Sequence, residues 1–316
     1  MRPECGIGMA ADSEGDAALQ ALLEDIADAA RPSAAEGKVA DYIPALAAVP
    51  ADRFAMAVVT AEGREAAVGD ADMPFSIQSI SKLFALALAM EWVGPDLWAR
   101  VGREPSGMRF NSLIQLETED GIPRNPFINA GALVVTDALV ERRWNYETSF
   151  RTQMRRLAGN GTLQYDGAVH RSERAHGDLN RGMAWVLKAH GNLRCPPDEV
   201  TDSYFRACAL AMSVRDLARA ARFLIAPEAC AGVPEAEALA PHGQRLRAIM
   251  RTCGLYDQSG EFAFRVGMPG KSGVGGGIVV VHPRALAAAV WSPPLDRYGN
   301  SVAGQFALEL MARELC

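Results

Sequence analysis

The sequence predicts an α+β fold: an antiparallel sheet flanked by helices, with a helical subdomain inserted into it. Two observations lead there. Runs with β character fall near both ends of the 316-residue chain, and the long stretch between them, rich in Ala, Leu, Arg and Met, is poor in strand signals. The expected division is an N-terminal extension over 1–14, a discontinuous sheet subdomain from 15–75 and 246–316, and a helical subdomain over 76–245. The two subdomains meet at a seam, where an active site is expected.

In order, Asp16 to Ala30 has Leu19, Leu22, Leu23 and Ile26 at helical spacing and predicts an amphipathic helix. Gly37 to Pro44 is a tight segment carrying Tyr42. Arg53 to Thr60 and Glu65 to Gly69, separated by Ala61 to Arg64, predict a hairpin. Phe75 to Met90 predicts one helix of about four to five turns, with Ser76 available as N-cap and Gly94-Pro95 as the stop. Its apolar residues spread around most of the wheel, as expected of a helix packed on several sides. Arg103 to Ser112 and Gly121 to Gly131 are turn-rich connectors whose polar residues can face a pocket. After Cys253 to Tyr256 the pattern returns to strands at Glu261 to Val266, Gly275 to Val281 and Ala287 to Trp291, and a helix from about Ser301 to Leu315 closes the chain. No internal repeat is present.

Composition narrows the function classes. With 49% hydrophobic and 22% charged residues the chain resembles an ordinary soluble enzyme. A net charge of −6 without a basic cluster argues against nucleic acid as a partner. The 6 cysteines (Cys5, Cys195, Cys208, Cys230, Cys253 and Cys316) lack a Cys-x-x-Cys spacing, so reduced thiols are expected, with neither a zinc site nor a disulfide framework. The 5 histidines show no paired ligand spacing, and no cofactor is expected. The first residues lack an apolar core and turn acidic, which speaks against a secretory signal, and no apolar run is long enough to span a membrane. A cytoplasmic protein is expected.

Lys82 breaks the apolar pattern of its predicted helix. Ser76, Ser79 and Ser81 lie near it, and at about 100° per residue only Ser79, at i−3, shares its face. A lysine desolvated among Ile, Leu and Phe loses much of its preference for the charged form and can take a serine proton near neutral pH. The same spacing also occurs by chance in helices whose lysine reaches back to water.

A second motif decides between these readings: Lys271-Ser272-Gly273 in Met268 to Val281. Ser-x-x-Lys followed by Lys-Thr-Gly is the signature of β-lactamases and penicillin-binding proteins, and Lys-Ser-Gly is its hydroxyl-equivalent variant. There a strand edge faces the nucleophile and lends a backbone N–H to an oxyanion hole. A phosphate-binding loop fails as a reading of Gly270-Lys-Ser, because Arg265 stands where the first glycine belongs and a β-branched run follows where a helix should.

From about residue 15 onward the chain resembles the serine-dependent glutaminases, which share the β-lactamase-like fold. The resemblance runs through Ser79-Ile-Ser-Lys82, Pro123 to Gly131, Ser172-Glu173 with Asn180, Tyr204-Phe205, Cys253 to Asp257, Lys271 to Gly277 and Gly299 to Ser301, in the family's order and spacing. It implies Ser79 as nucleophile and Lys82 as its base. Tyr42 and Tyr256 match tyrosines that line the site and relay protons, and the N–H groups of Ser79 and Val274 match the oxyanion hole. Asn129, Glu173, Asn180 and Tyr204 match the residues holding the amino-acid end of glutamine. Phe127, where that family often has Met, and His170, where an aromatic is common, depart from the pattern without being expected to touch a residue of assigned role. A homotetramer is implied by the resemblance alone.

The chemistry agrees. A free amino acid needs an anion for its ammonium and donors for its carboxylate, and Glu173 with Asn and Tyr groups supplies both. Taken singly, Glu173 reads as a solvated helix charge, Asn129 as a turn residue and Tyr204 as a packed aromatic; the combination favours a site. The expected reaction is hydrolysis of the side-chain amide of L-glutamine to glutamate and ammonia. A related serine acyl hydrolase (esterase or D,D-peptidase) and a non-catalytic amino-acid binder are the alternatives.

Overall fold

A computed structural model describes residues 13–108, 111–142 and 145–315. Most of the expected N-terminal extension therefore lies outside the described residues, along with Cys5 and Cys316. The hairpin forms from Ala55–Thr60 and Glu65–Gly69, and the far end of the chain adds the strands Gly270–Gly273, Gly277–His282 and Leu286–Trp291. All neighbours are antiparallel. The sheet runs from Glu65–Gly69 through Ala55–Thr60, Leu286–Trp291 and Gly277–His282 to Gly270–Gly273 at the other edge.

The strand period of two sorts side chains into two cores. Met56, Val58, Ile278, Val280, Ala288 and Val290 join Leu19, Leu23, Leu308 and Met311 of the helices Ser13–Ala30 and Val302–Leu315. Ala57, Val59, Val279, Val281, Ala287 and Ala289 face the helical middle. Because both faces are covered, the Ala55–Thr60 and Leu286–Trp291 strands are buried along their whole length. Their sequence accordingly reads as continuous apolar runs rather than as an alternation.

At the centre of the helical part lies the Ser81–Trp92 helix, with every residue from Ser81 to Met90 buried. It packs on the Asn129–Glu141, Pro197–Cys208 and Gly243–Cys253 helices. The expected single helix from Ser76 is corrected here. Phe75–Ser76 is a short strand paired with Met212 and Ala211, the Ser76 hydroxyl donates to the Cys208 carbonyl (2.8 Å) instead of capping, and Gln78–Ile80 forms a 3-10 turn. Gln78 interrupts the helical path with a left-handed φ of 49°, so the α-helix begins only at Ser81.

Three further expectations change. Glu261 to Val266 lies in a helix, Ser259–Val266, ended by Gly267 in the left-handed conformation. Its Phe-Ala-Phe alternation imitates a strand, yet Phe262 and Val266, four apart, are buried while Phe264 is 88% exposed. Gly275 to Val281 becomes a turn followed by a strand that starts at Gly277. The Gly121 to Gly131 connector ends at Ile128, since Asn129 already opens a helix. Among the described residues no helix is long and apolar enough to cross a membrane.

The Asn129–Glu141 helix is anchored by Asp137, a fully buried carboxylate. It accepts from Arg100 and from the backbone N–H groups of Arg194 (3.0 Å) and Cys195 (2.8 Å). Breaking a buried pair from one side leaves an uncompensated charge. Asp137→Ala is therefore expected to lower the unfolding free energy by about 3–5 kcal/mol, read from the urea midpoint at unchanged slope. A loss within the ordinary range of surface substitutions would show the pair to be dispensable.

Candidate functional site

Ser79 sits in the Gln78–Ile80 turn, against the edge strand Gly270–Gly273. Their approach depends on a missing side chain. A Cβ at Gly273 would stand 2.6 Å from the Ile77 carbonyl oxygen and 3.2 Å from the Ser79 amide nitrogen, so only glycine lets the strand edge close on the turn. Trp291 braces the loop that follows, donating from its indole N–H to the Gly275 carbonyl (3.0 Å) and stacking on Phe75 with ring centroids 4.8 Å apart.

Lys82, one turn later, is buried without a hydrogen-bonded carboxylate. Its Nζ donates to the Phe127 carbonyl (3.1 Å) and to Asn129 Oδ1 (2.6 Å) and lies 5.7 Å from the centre of the Tyr204 ring. Burial penalises the ammonium and brings its pKa down to about 8. Phe127 thus contacts Lys82 through its backbone, contrary to the expectation that this position touches no residue of assigned role. His170 pairs instead with Asp202 (3.0 Å).

Beside this turn a pocket of about 310 Å³ is lined by Tyr42, Ser79, Asn129, Glu173, Asn180, Tyr204 and Val274. Gln78, Cys208 and His176 complete much of the remaining wall. The Glu173 carboxylate accepts from the Tyr42 hydroxyl (2.8 Å), and Gln78 Oε1 lies 3.2 Å from that hydroxyl. Burial raises the Glu173 pKa, and hydrogen bonds from Tyr42 and Gln78 offset part of the rise. Burial likewise holds the Tyr42 and Tyr204 hydroxyls in their neutral forms, with the Glu173 charge adding to the effect. Asn129 Nδ2 donates to Asn180 Oδ1 (2.9 Å), so a chain of polar contacts runs from Lys82 through Asn129 to Asn180.

Tyr256 lies in a 3-10 turn with a left-handed φ of 52° and lines a neighbouring cavity of about 540 Å³. Ser79, Ser272 and the Val274 amide face its hydroxyl, and burial pushes its pKa up to about 12. Of the residues singled out from the sequence, Tyr42, Ser79, Asn129, Glu173, Asn180, Tyr204 and Val274 line the 310 Å³ pocket, Lys82 reaches its wall through Asn129, and Tyr256 lines the neighbouring cavity. Gln78 was missed. Its Nε2 donates to Ser76 Oγ (3.0 Å), linking the floor of the pocket to the strand before it. The one available signal was an amide next to the candidate serine. Among the described residues no group of three or more His, Cys, Asp or Glu side chains could hold a metal.

Known proteins similar to this chain all point to one family. The family profile described as Glutaminase matches residues 37–316. A glutaminase of Paraburkholderia phytofirmans is 54% identical over 288 residues, covering 91% of this chain and 95% of that protein. The solved structure of a probable glutaminase, ybaS, superposes with a TM-score of 0.84 at 38% identity, covering 93% of this chain and 97% of that one. A probable glutaminase of Bacillus subtilis also gives 0.84, at 30% identity, with 94% and 96% covered.

The close approach at Gly273 can be tested by stability alone. Gly273→Ala must push the strand edge off the Ile77 carbonyl and is expected to cost about 1–3 kcal/mol in urea unfolding. Gly260, inside a helix and with nothing within 4 Å of its would-be Cβ, is the control. Gly260→Ala should instead stabilise by about 0.5–1 kcal/mol. Equal effects at the two positions would remove the steric account.

Proposed function

As this chain belongs to the glutaminase family, we propose that it hydrolyses the side-chain amide of L-glutamine through a glutamyl ester on Ser79. The observation that carries the reading is a single pocket lined by a serine and by a buried carboxylate: Ser79 for the amide, Glu173 for the α-ammonium. Burial without a hydrogen-bonded cation leaves Glu173 poised for a positively charged ligand. Asn129, Asn180 and Tyr204 supply polar groups for the α-carboxylate. In this reading the site lies at the seam between the sheet subdomain (15–75, 246–316) and the helical subdomain (76–245).

The proton path follows from Lys82. A neutral amine has two N–H donors and a lone pair; the Phe127 and Asn129 oxygens take the donors, and the lone pair is left to accept. Lys82 takes the Ser79 proton, with the Tyr256 hydroxyl facing Ser79 as relay and Tyr42 bounding the site beside Glu173. The serine oxygen attacks the amide carbon, and its negative oxygen is held by the Ser79 and Val274 N–H groups. The C–N bond breaks as the proton passes to the leaving nitrogen, releasing ammonia. Water, losing a proton to the same base, then attacks the ester carbon; the bond to the Ser79 oxygen breaks, the base returns the proton to that oxygen, and glutamate is released.

We also propose that the chain assembles into a homo-oligomer, a tetramer by its resemblance. Supporting this are the exposed Ile114 (69%), Leu179 (43%) and Trp185 (57%) on two helices, Leu113–Thr118 and Asp178–Ala189, that pack together. A monomeric mass by light scattering at assay concentration would overturn it.

Substrate identity is tested with two substrates. Ser79→Ala is expected to abolish ammonia release from glutamine, whereas Glu173→Gln should lower kcat/KM for glutamine by roughly two to three orders of magnitude, the loss of one partner of a buried charge pair. A small nitrophenyl ester, which lacks the ammonium, should be turned over by Glu173→Gln nearly as by wild type. Equal losses on both substrates would make Glu173 structural and remove the support for an amino-acid substrate.

The pH dependence follows from the same groups. Lys82 acts only when neutral, so kcat/KM should climb as pH rises through about 8 and level off above it. On the acid side, protonation of Glu173, whose pKa is raised, removes the ammonium's partner and deepens the loss. A profile flat from mildly acidic to alkaline pH would contradict Lys82 as base.

A further inference from the structure

The reaction as proposed uses one buried lysine, yet the site has two. Lys271 is fully buried, and no carboxylate is among its hydrogen-bond partners. Its Nζ donates to the carbonyls of Gly254 (3.1 Å) and Ser272 (2.5 Å), lies 4.8 Å from the centre of the Tyr256 ring, and is 5.6 Å from the Phe127 ring on another side. Burial drives its pKa well down, and nearby Lys82 drives it further. An amine taken out of water this completely is costly unless its donors are used and its surroundings suit it.

What those donors hold is the approach to Tyr256. Gly254 opens the turn that ends at Tyr256, and a Cβ there would stand 1.8 Å from the Gly270 carbonyl oxygen, so turn and edge strand touch backbone to backbone. The Gly254 carbonyl accepts from the Ser272 amide (3.1 Å) as well as from Lys271. Tyr256 itself keeps a left-handed backbone, which a tyrosine adopts only when its surroundings impose it. We propose that Lys271 is a positioning residue for the reaction: it ties the Gly254–Tyr256 turn to the edge strand and backs the Tyr256 ring, holding the tyrosine hydroxyl against Ser79.

This rests on the role given to Tyr256 above, and it departs from a purely architectural lysine in one respect. The effect passes through the Tyr256 hydroxyl. Removing Lys271 should damage turnover only while that hydroxyl is present to be misplaced, and substrate binding should be spared because Lys271 touches none of Asn129, Glu173, Asn180 or Tyr204.

The test is a double-mutant cycle on glutamine turnover with Lys271→Met, Tyr256→Phe and the double variant. Lys271→Met should lower kcat by roughly ten- to a hundredfold, the scale of a misplaced reacting group, with KM changed less than about twofold. In the Tyr256→Phe background the same substitution should cost less than about threefold. Equal losses in both backgrounds, a rise in KM matching the fall in kcat, or no loss at all would overturn the inference. Tyr256→Phe alone with wild-type kcat would instead sink the role of Tyr256 and leave the rest of the catalytic reading standing. Should Lys271→Met fail to fold, the cycle is run with Lys271→Leu, which likewise lacks donors for the two carbonyls; failure of both to fold would make Lys271 structural and also overturn the proposal.

Discussion

Desolvation of Lys82 is the constraint around which the molecule is arranged. An amine at the start of a helix buried on all sides cannot reach water, and no carboxylate is placed to hydrogen-bond it. The alternatives open to such a group are expulsion, pairing or loss of charge. This fold takes the last course in part: burial brings the pKa down to about 8, and the donors meet neutral acceptors, a carbonyl and an amide oxygen. The elements delivering those acceptors, the segment ending at Ile128 and the first turn of the Asn129–Glu141 helix, are then fixed relative to the serine turn. Much of the pocket wall follows from that one requirement.

The anionic end of the pocket applies the complementary logic. Glu173 is buried with Tyr42 and Gln78 as hydrogen-bonding partners, a setting that tolerates the carboxylate but leaves it under-compensated. A ligand that brings a cation improves this environment, whereas a neutral ligand does not. On the proposed reading, selectivity therefore resides partly in an unfavourable feature of the pocket itself. Such features cost stability.

Much of this was legible in the sequence because it is written in local pattern. The hairpin, the strands around Gly277–His282 and Leu286–Trp291 and the helical middle follow from local pattern, whereas the serine of the Ser79 to Lys82 motif sits in a 3-10 turn rather than in the expected helix. What was not legible depends on tertiary contact. Ser76 has the chemistry of a cap but is claimed by the Cys208 carbonyl. Phe262 and Phe264 alternate like a strand, yet one faces the core and the other solvent. Gln78 and Tyr256 take left-handed backbones that no propensity scale assigns to them, imposed by neighbours far away in sequence. Tyr42, Asn129, Glu173, Asn180, Tyr204 and Val274 came from family pattern, and Asn129, Glu173 and Tyr204, taken singly, each had an ordinary structural explanation.

The pairing of the edge strand with the serine turn also bears on how the chain becomes active as it is made. The Ala55–Thr60 strand finds its inner partner only in Leu286–Trp291, and the turn at Gln78 leans on a strand at residues 270–273. Contacts this distant form late, since a long loop must be closed before they contribute any stability. Ser79 and Lys82 leave the ribosome well before the backbone at residues 270–273 that shapes their turn. A nascent chain holding every helix of the middle section would still lack the strand that closes on the Ser79 turn, so on the proposed reading catalytic competence waits until residues 270–273 have emerged.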